Sequence, residues 1–120
     1  RQGPSTPLAD LWRLDATTAA WHQLIPAQPD ISWPEKRWGH TMTCVGEGQL
    51  LVLGGRDGTR VLPSAYLLRI SFGPEQGYAY QWKSLEVPEE LAATLQRFHH
   101  TCDVVHCTEA AIDLVVAGGW

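Results

Sequence analysis

Short apolar or alternating runs, separated by turn-forming residues, dominate the middle of the chain. Four such runs follow one another at residues 41–45, 50–53, 66–70 and 80–85, with glycines or prolines between them. Runs of this length and period, bounded by Gly and Pro, are typical of β-strands. The pattern predicts a four-stranded antiparallel meander, and such a meander needs neighbours of its own kind to cover its faces.

Pieces of the same pattern lie at the two ends of the chain. Residues 10–15 and 21–24 are similar to the third and fourth strands of the meander. Residues 97–102 and 112–119 are similar to its opening and its second strand. The ends of the chain therefore carry a second unit that is cut between its second and third strands.

The spacing of equivalent residues gives the length of the repeat. Arg37 and Arg97 are 60 positions apart, and Trp21 and Trp82 are 61 positions apart. If the two chain ends were joined, 11 positions would separate the second Gly-Gly pair from the strand at Asp10, which equals the spacing from Gly-Gly to Tyr66. The split unit is thus expected to be as long as the complete one.

The motifs of both units resemble kelch repeats. Each unit has an Arg-x-x-His opening, a Gly-Gly turn and a Trp-x-x-Leu closing, in that order. The residues that carry these motifs are Arg37, Arg97, Gly54, Gly55, Gly118, Gly119, Trp21 and Trp82. The resemblance implies an all-β fold of kelch-type β-propeller blades, each of four antiparallel strands, with two blades per chain.

The resemblance also implies a division of the chain. Residues 37–96 form the complete blade. Residues 97–120 supply the first and second strands of the split blade, and residues 1–36 supply its third and fourth strands plus a connection.

A two-blade piece leaves open sheet edges, and the split blade offers a way to close them. The terminal strands of one copy can complete the blade of the next, a head-to-tail contact that closes into a ring when the rotation fits. We expect a homotrimer that forms one six-bladed propeller; four copies would give eight blades. Two alternatives are a fragment of a larger intracellular kelch protein and an engineered symmetric building block without a natural ligand. The larger protein could be an adaptor or carry the propeller beside an enzyme, such as a tRNA-modifying methyltransferase-like protein.

Composition narrows the partner classes. The formal net charge of −4 and the absence of any basic run argue against nucleic-acid binding. No apolar run approaches the ~18 residues that span a bilayer, so we expect no membrane-spanning helix. Three cysteines without framework spacing favour reduced thiols and an intracellular location, cytoplasmic or nuclear.

No catalytic motif is visible in the sequence, so we expect neither catalytic residues nor a cofactor. The densest set of potential metal ligands is His99, His100, Cys102, His106 and Cys107. His106 and Cys107 are predicted to lie in a loop, and no Cys-x-x-Cys pair accompanies the set, so we expect no metal site. Cys44 and Cys102 are interpreted as small core residues. An enzyme similar to galactose oxidase or to sialate mutarotases remains an alternative, because kelch-type propellers host such activities.

The loops on one face of a propeller are the expected binding surface for a protein or peptide partner. They join the second strand to the third, and the fourth strand to the next blade. Arg and Trp are favoured anchors at protein interfaces. The residues predicted for this face are Arg56, Asp57, Arg60, Trp33, Glu35, Lys36 and Trp120. Other interpretations are that Trp33 packs under its own loop, that Arg56 and Arg60 are solvated, and that Arg37 and Arg97 brace the starts of the blades.

Overall fold

The computed structural model describes residues 6–24, 33–75, 77–108 and 111–120. In these ranges the chain forms eight strands and one helix. The elements are β1 (Trp12–Asp15), β2 (Ala20–Gln23), β3 (Thr41–Gly46), β4 (Gln49–Leu53), β5 (Ala65–Gly73), β6 (Gly77–Leu85), α1 (Glu89–Leu95), β7 (Thr101–Cys107) and β8 (Ile112–Ala117). The prediction of an all-β fold is confirmed.

The strands form three antiparallel sheets. Strands β3 to β6 pair in chain order as a four-stranded meander, here called the central sheet. Strands β1 and β2 form the N-terminal hairpin, and β7 and β8 form the C-terminal hairpin. The central sheet lies where the four runs predicted it, because alternating apolar residues and glycine-bearing turns fix both the strands and their order.

The central sheet is apolar on both of its faces. Val52, Leu68 and Trp82 form the buried cluster on one face, and Leu11 of the N-terminal segment packs against it. On the other face Leu51, Leu53 and Ala65 cluster with Cys102 of the C-terminal hairpin. Because successive residues of a strand point to opposite faces, one meander can pack against both hairpins at once.

The Gly-Gly motifs of the two units have matching backbones. Gly54 and Gly118 have φ angles of 67° and 70°, and the glycine that follows each of them is also in the left-handed region. The openings match as well, since Gly39 (φ 70°) is equivalent to His99 (φ 56°). A non-glycine residue in this region is strained, so the fold imposes the same turn on both sequences.

Several local expectations need correction. His106 and Cys107 belong to β7 rather than to a loop, because a register shift between Val104 and His106 lets the strand continue. Cys44 is exposed, whereas Cys102 is buried as expected. Between the central sheet and the C-terminal hairpin, α1 is a seven-residue helix with Pro88 before its first residue. Residues 1–5 of the lead-in and 25–32 of the connection lie outside the described residues.

Candidate interaction surfaces

The loop between β4 and β5 is organised by the carboxylate of Asp57. Its Oδ1 accepts hydrogen bonds from the backbone N–H of Thr59 (2.9 Å) and of Arg60 (3.0 Å), and from the Thr59 hydroxyl (2.9 Å). These bonds, the Thr59 backbone first, hold the pKa of Asp57 well below its usual range. Asp57 therefore acts on the shape of the loop and stays charged at physiological pH.

Arg60 links this loop to the segment that precedes the central sheet. Its guanidinium lies 3.2 Å from the Glu35 carboxylate and 3.4 Å from that of Asp57. Glu35 also lies 3.9 Å from the Arg37 guanidinium. Lys36 is exposed beside this group. The structure thus brings Arg60, Asp57, Glu35 and Lys36 to one surface.

Arg56 joins the two units through aromatic rings. Its guanidinium lies 5.6 Å from the ring centroid of Trp38 and 5.1 Å from that of Phe98, and these two rings are 5.5 Å apart. Trp120 exchanges two backbone hydrogen bonds with Phe98, just as Arg56 does with Trp38. The Trp120 side chain is 82% exposed. Arg56 and Trp120 therefore occupy equivalent backbone positions. The Arg56 side chain packs on aromatic rings, whereas the Trp120 side chain is exposed.

Trp33 lies in a different place from the other predicted contact residues. Its ring packs edge-on against Trp82 at 5.8 Å and Tyr80 at 6.0 Å, and its Nε1 donates to the Ala9 carbonyl at 2.9 Å. These contacts give Trp33 a packing role on the face of the central sheet. A partner contact by Trp33 stays a prediction.

The arginines of the two openings make equivalent contacts. Arg37 is buried and donates to the Gly54 carbonyl at 2.8 Å. Arg97 donates to the Gly118 carbonyl at 3.1 Å. Each arginine ties the opening of its unit to the Gly-Gly turn, which is a bracing geometry.

His100 connects the first strands of the two units. Its Nε2 lies 2.8 Å from the Thr41 hydroxyl, and its side chain is buried. Burial and, after it, the nearby Arg97 charge lower the pKa of His100, so its neutral form is favoured. The imidazole thus serves as part of the packing between the units.

The outer faces of the two hairpins are bare. Trp21 and Trp82 hold the same place in the Trp-x-x-Leu motif, yet Trp21 is 63% exposed and Trp82 is 7% exposed. Val115 lies three residues before Gly118, as Leu51 does before Gly54, and the two are 51% and 6% exposed. In the described part of the chain, β1 and β8 each have one paired edge and one open edge.

Gly118 shows what the C-terminal hairpin lacks. A Cβ on Gly54 would collide with the Arg97 carbonyl oxygen and would lie 2.8 Å from Cε1 of His100. A Cβ on Gly118 would meet nothing within 4 Å. The central sheet thus has an Arg-x-x-His opening against its Gly-Gly turn, and the C-terminal hairpin has open space there.

Residues that could hold a metal do not converge in the part of the chain that is described. No group of three or more His, Cys, Asp or Glu side chains is suitably placed there. No helix among the described residues is long and apolar enough to cross a bilayer.

The sequence-based prediction missed two contributors to these surfaces, Trp38 and Phe98. Each follows the arginine of its opening, so an aromatic residue shared by the two openings was the available signal.

Comparisons with known proteins agree with this architecture. No family model matches the chain. The chain is 33% identical over 104 residues to an F-box/kelch-repeat protein of Arabidopsis thaliana, a match that covers 82% of the chain and 20% of that protein. It is 35% identical over 79 residues to the serine/threonine-protein phosphatase BSL2 of the same plant, covering 64% of the chain and 7% of the relative. The fold and the first match are compatible with kelch-type blades. The chain spans a fifth or less of the length of these two relatives.

Proposed function

We propose that the chain is a non-catalytic kelch-type scaffold for protein–protein interaction. It supplies two blades' worth of β-structure, and another copy completes its split blade. Three copies would close a six-bladed ring. The observation that carries the proposal is the stacking of three sheets, in which one hairpin packs on each face of a central four-stranded meander.

The stacking supports a propeller because the two units meet through equivalent strands. The first strands of the two units lie side by side, with Thr43 donating to the Cys102 carbonyl at 3.1 Å and the His99 N–H donating to the Gly39 carbonyl at 2.7 Å. The partners in each bond are 59 or 60 residues apart, close to the repeat length. A constant step from sheet to sheet is how repeated blades build a ring.

Self-assembly follows from the bare side chains. Trp21 and Val115 are exposed where Trp82 and Leu51 are buried, so the same motif positions lack the cover that the central sheet has. Apolar area removed from water stabilises an assembly by roughly 25 cal/mol per Å². Neighbouring copies that cover the two hairpins would convert these exposed positions into core positions.

The partner surface of the scaffold is the loop face. Trp120, Arg60 and Lys36 are exposed, whereas Arg56 packs near two aromatic rings and contributes shape. We propose that a protein or peptide partner contacts the exposed three residues. Alanine at Trp120, Arg60 and Lys36 together should abolish selection of peptides from a displayed library, and alanine at Glu89 and Glu90 on α1 should not. Unchanged selection by the triple variant would contradict a partner site on this face.

The absence of catalysis is part of the proposal. Arg37 and Arg97 are engaged by turn carbonyls, and His100 is engaged by Thr41. These three side chains therefore already have structural partners.

A second candidate is a segment of a longer kelch protein. The observation in its favour is the coverage of the relatives, since the match extends over only 20% of the F-box/kelch-repeat protein. In that case further blades of the same polypeptide would cover the bare hairpins. The two candidates agree on the fold and differ in where the missing strands come from.

The mass of the protein in solution separates these candidates. A closed ring of three copies would have three times the chain mass of 13.3 kDa. Sedimentation or native mass spectrometry that finds this species would support the ring. A species of one chain mass at all concentrations would contradict self-assembly and leave the segment of a longer protein.

A further inference from the structure

We propose that β8 of one copy pairs antiparallel with β1 of the next copy, in the register that places Asp113 opposite Arg13. This inference rests on the proposed self-assembly and names its contact. A copy of the same chain is the occupant of each open edge, the next copy at β8 and the preceding copy at β1.

The central sheet shows how a second strand pairs with a third. There Gln49 lies opposite Arg69, and Leu51 lies opposite Leu67. Counting back from the Gly-Gly turns, Asp113 is equivalent to Gln49, and Val115 is equivalent to Leu51. The residue of β1 that faces Asp113 therefore defines the register of the split blade.

Alternation of the two faces limits the choice of register. Leu11 packs against the cluster formed by Val52 and its neighbours, and the Arg13 guanidinium lies 3.9 Å from the ring centroid of Tyr78. The odd-numbered side chains of β1 therefore face the central sheet. A slip by one residue would reverse every side chain, so only registers that differ by two residues remain.

Charge selects between the two remaining registers. In one register, each residue of β1 is counted from Gly119 across the joined chain ends, just as residues of β5 are counted from Gly55. This register places Arg13 opposite Asp113 and Leu11 opposite Val115. The other register takes Trp21 of β2 as the equivalent of Trp82 of β6. It places Asp15 opposite Asp113, so that two carboxylates face each other. Opposite charges across a strand pair stabilise it and like charges destabilise it, so we assign the register with Arg13.

The Gly-Gly turn supplies a second, independent reason for a second copy. Gly54 has the Arg97–His100 opening against it, and Gly118 has open space. The other opening in the chain is Arg37–His40, whose His40 is exposed. The same step that brings β8 to β1 of the next copy brings Gly118 to that opening.

Charge reversal tests the register. The variants Asp113→Arg and Arg13→Asp should each weaken association, by about tenfold per contact, as sedimentation measured over a concentration series would show. The double variant Asp113→Arg/Arg13→Asp should restore association to within a few fold of the unchanged chain. Glu90→Arg, an equal charge change on α1, is the control and should leave association unchanged. Stronger association of Asp113→Arg alone would overturn the assigned register, because it is the result expected when Asp15 lies opposite.

Disulfide cross-linking tests the same register without substituting Arg13. The variant Trp12→Cys/Leu114→Cys is made in a chain in which Cys44, Cys102 and Cys107 are replaced by alanine. It should form disulfides between copies on oxidation, because opposite residues lie within disulfide reach. The variant Trp12→Cys/Val116→Cys in the same background should not. The reverse result would overturn the register and leave self-assembly standing. No disulfide in either variant, with a single-chain mass for the unchanged protein, would overturn both proposals and indicate that the missing strands come from elsewhere.

Discussion

The central sheet and the two hairpins carry the same motifs in different surroundings. In the central sheet, Leu68 is completely buried, and both faces contribute to clusters. In the hairpins, Trp12, Trp21 and Val105 are exposed. The motif sets the backbone in both places, but burial depends on what lies against the sheet. The comparison teaches that the same motif is buried only where another part of the chain covers it.

The largest expected effect comes from adding a methyl group to the equivalent glycines. Gly54→Ala should lower the free energy of unfolding by about 2–5 kcal/mol, because left-handed strain adds to a collision with the Arg97 carbonyl. Gly118→Ala should cost about 1–2 kcal/mol, since the strain acts alone there. Urea unfolding of both variants at low protein concentration measures the difference. Equal losses would contradict the comparison.

A matched pair of valines sharpens the comparison. Val45 and Val105 lie eight residues after the arginine of their openings, and they are buried and exposed respectively. Val45→Ala should lower the free energy of unfolding by about 1–2 kcal/mol, and Val105→Ala by less than about 0.5 kcal/mol in the unassociated chain. Under associating conditions the cost of Val105→Ala should rise towards that of Val45→Ala, because the next copy covers it. A constant small cost at every concentration would argue against cover by another copy.

The pH dependence of stability reports on the contact between the units. The pKa of His100 is lowered from 6.5 in the folded chain, so the unfolded chain binds the proton more readily. The stability associated with the neutral imidazole is present above about pH 6.5 and is lost as the pH falls from there through the lowered folded value. Unfolding at pH 7.5 and pH 5.5 should therefore differ less in His100→Gln than in the unchanged chain. An unchanged pH slope in that variant would show that other groups cause the loss.

The smallest expected effect concerns the ion pairs of the loop face. Arg60→Ala should change the free energy of unfolding by less than about 1 kcal/mol, because its partners Glu35 and Asp57 are within reach of water. The change should shrink further in 0.5 M salt. A loss well above this range would mean that Arg60 supports the fold as well as the loop.

Much of the fold is predictable from the sequence because its signals are local. The alternating runs fix β3 to β6, and the repeated Gly-Gly pairs fix two turns with matching φ angles. The continuation of β7 to Cys107 was not predictable, since the register shift that permits it depends on pairing with β8. Strand ends are set by such pairing more than by composition.

The candidate surfaces were less predictable because their contacts are distant in sequence. Arg56 was expected in a solvated loop or at a partner contact, yet it packs on Phe98, a residue of the other unit. Trp33 was expected on the loop face, and the structure packs it against Trp82. In both cases a large side chain packs against an aromatic residue that is distant in sequence, and no local pattern predicts such a contact.

The most direct test of the account is the mass of the unmodified chain in solution over a range of concentrations. The account predicts that a single chain of 13.3 kDa gives way to one closed species of three chains as the concentration rises. Covering the two bare hairpins is the physical reason for that transition. A single-chain mass throughout, with the sheets folded, would contradict it.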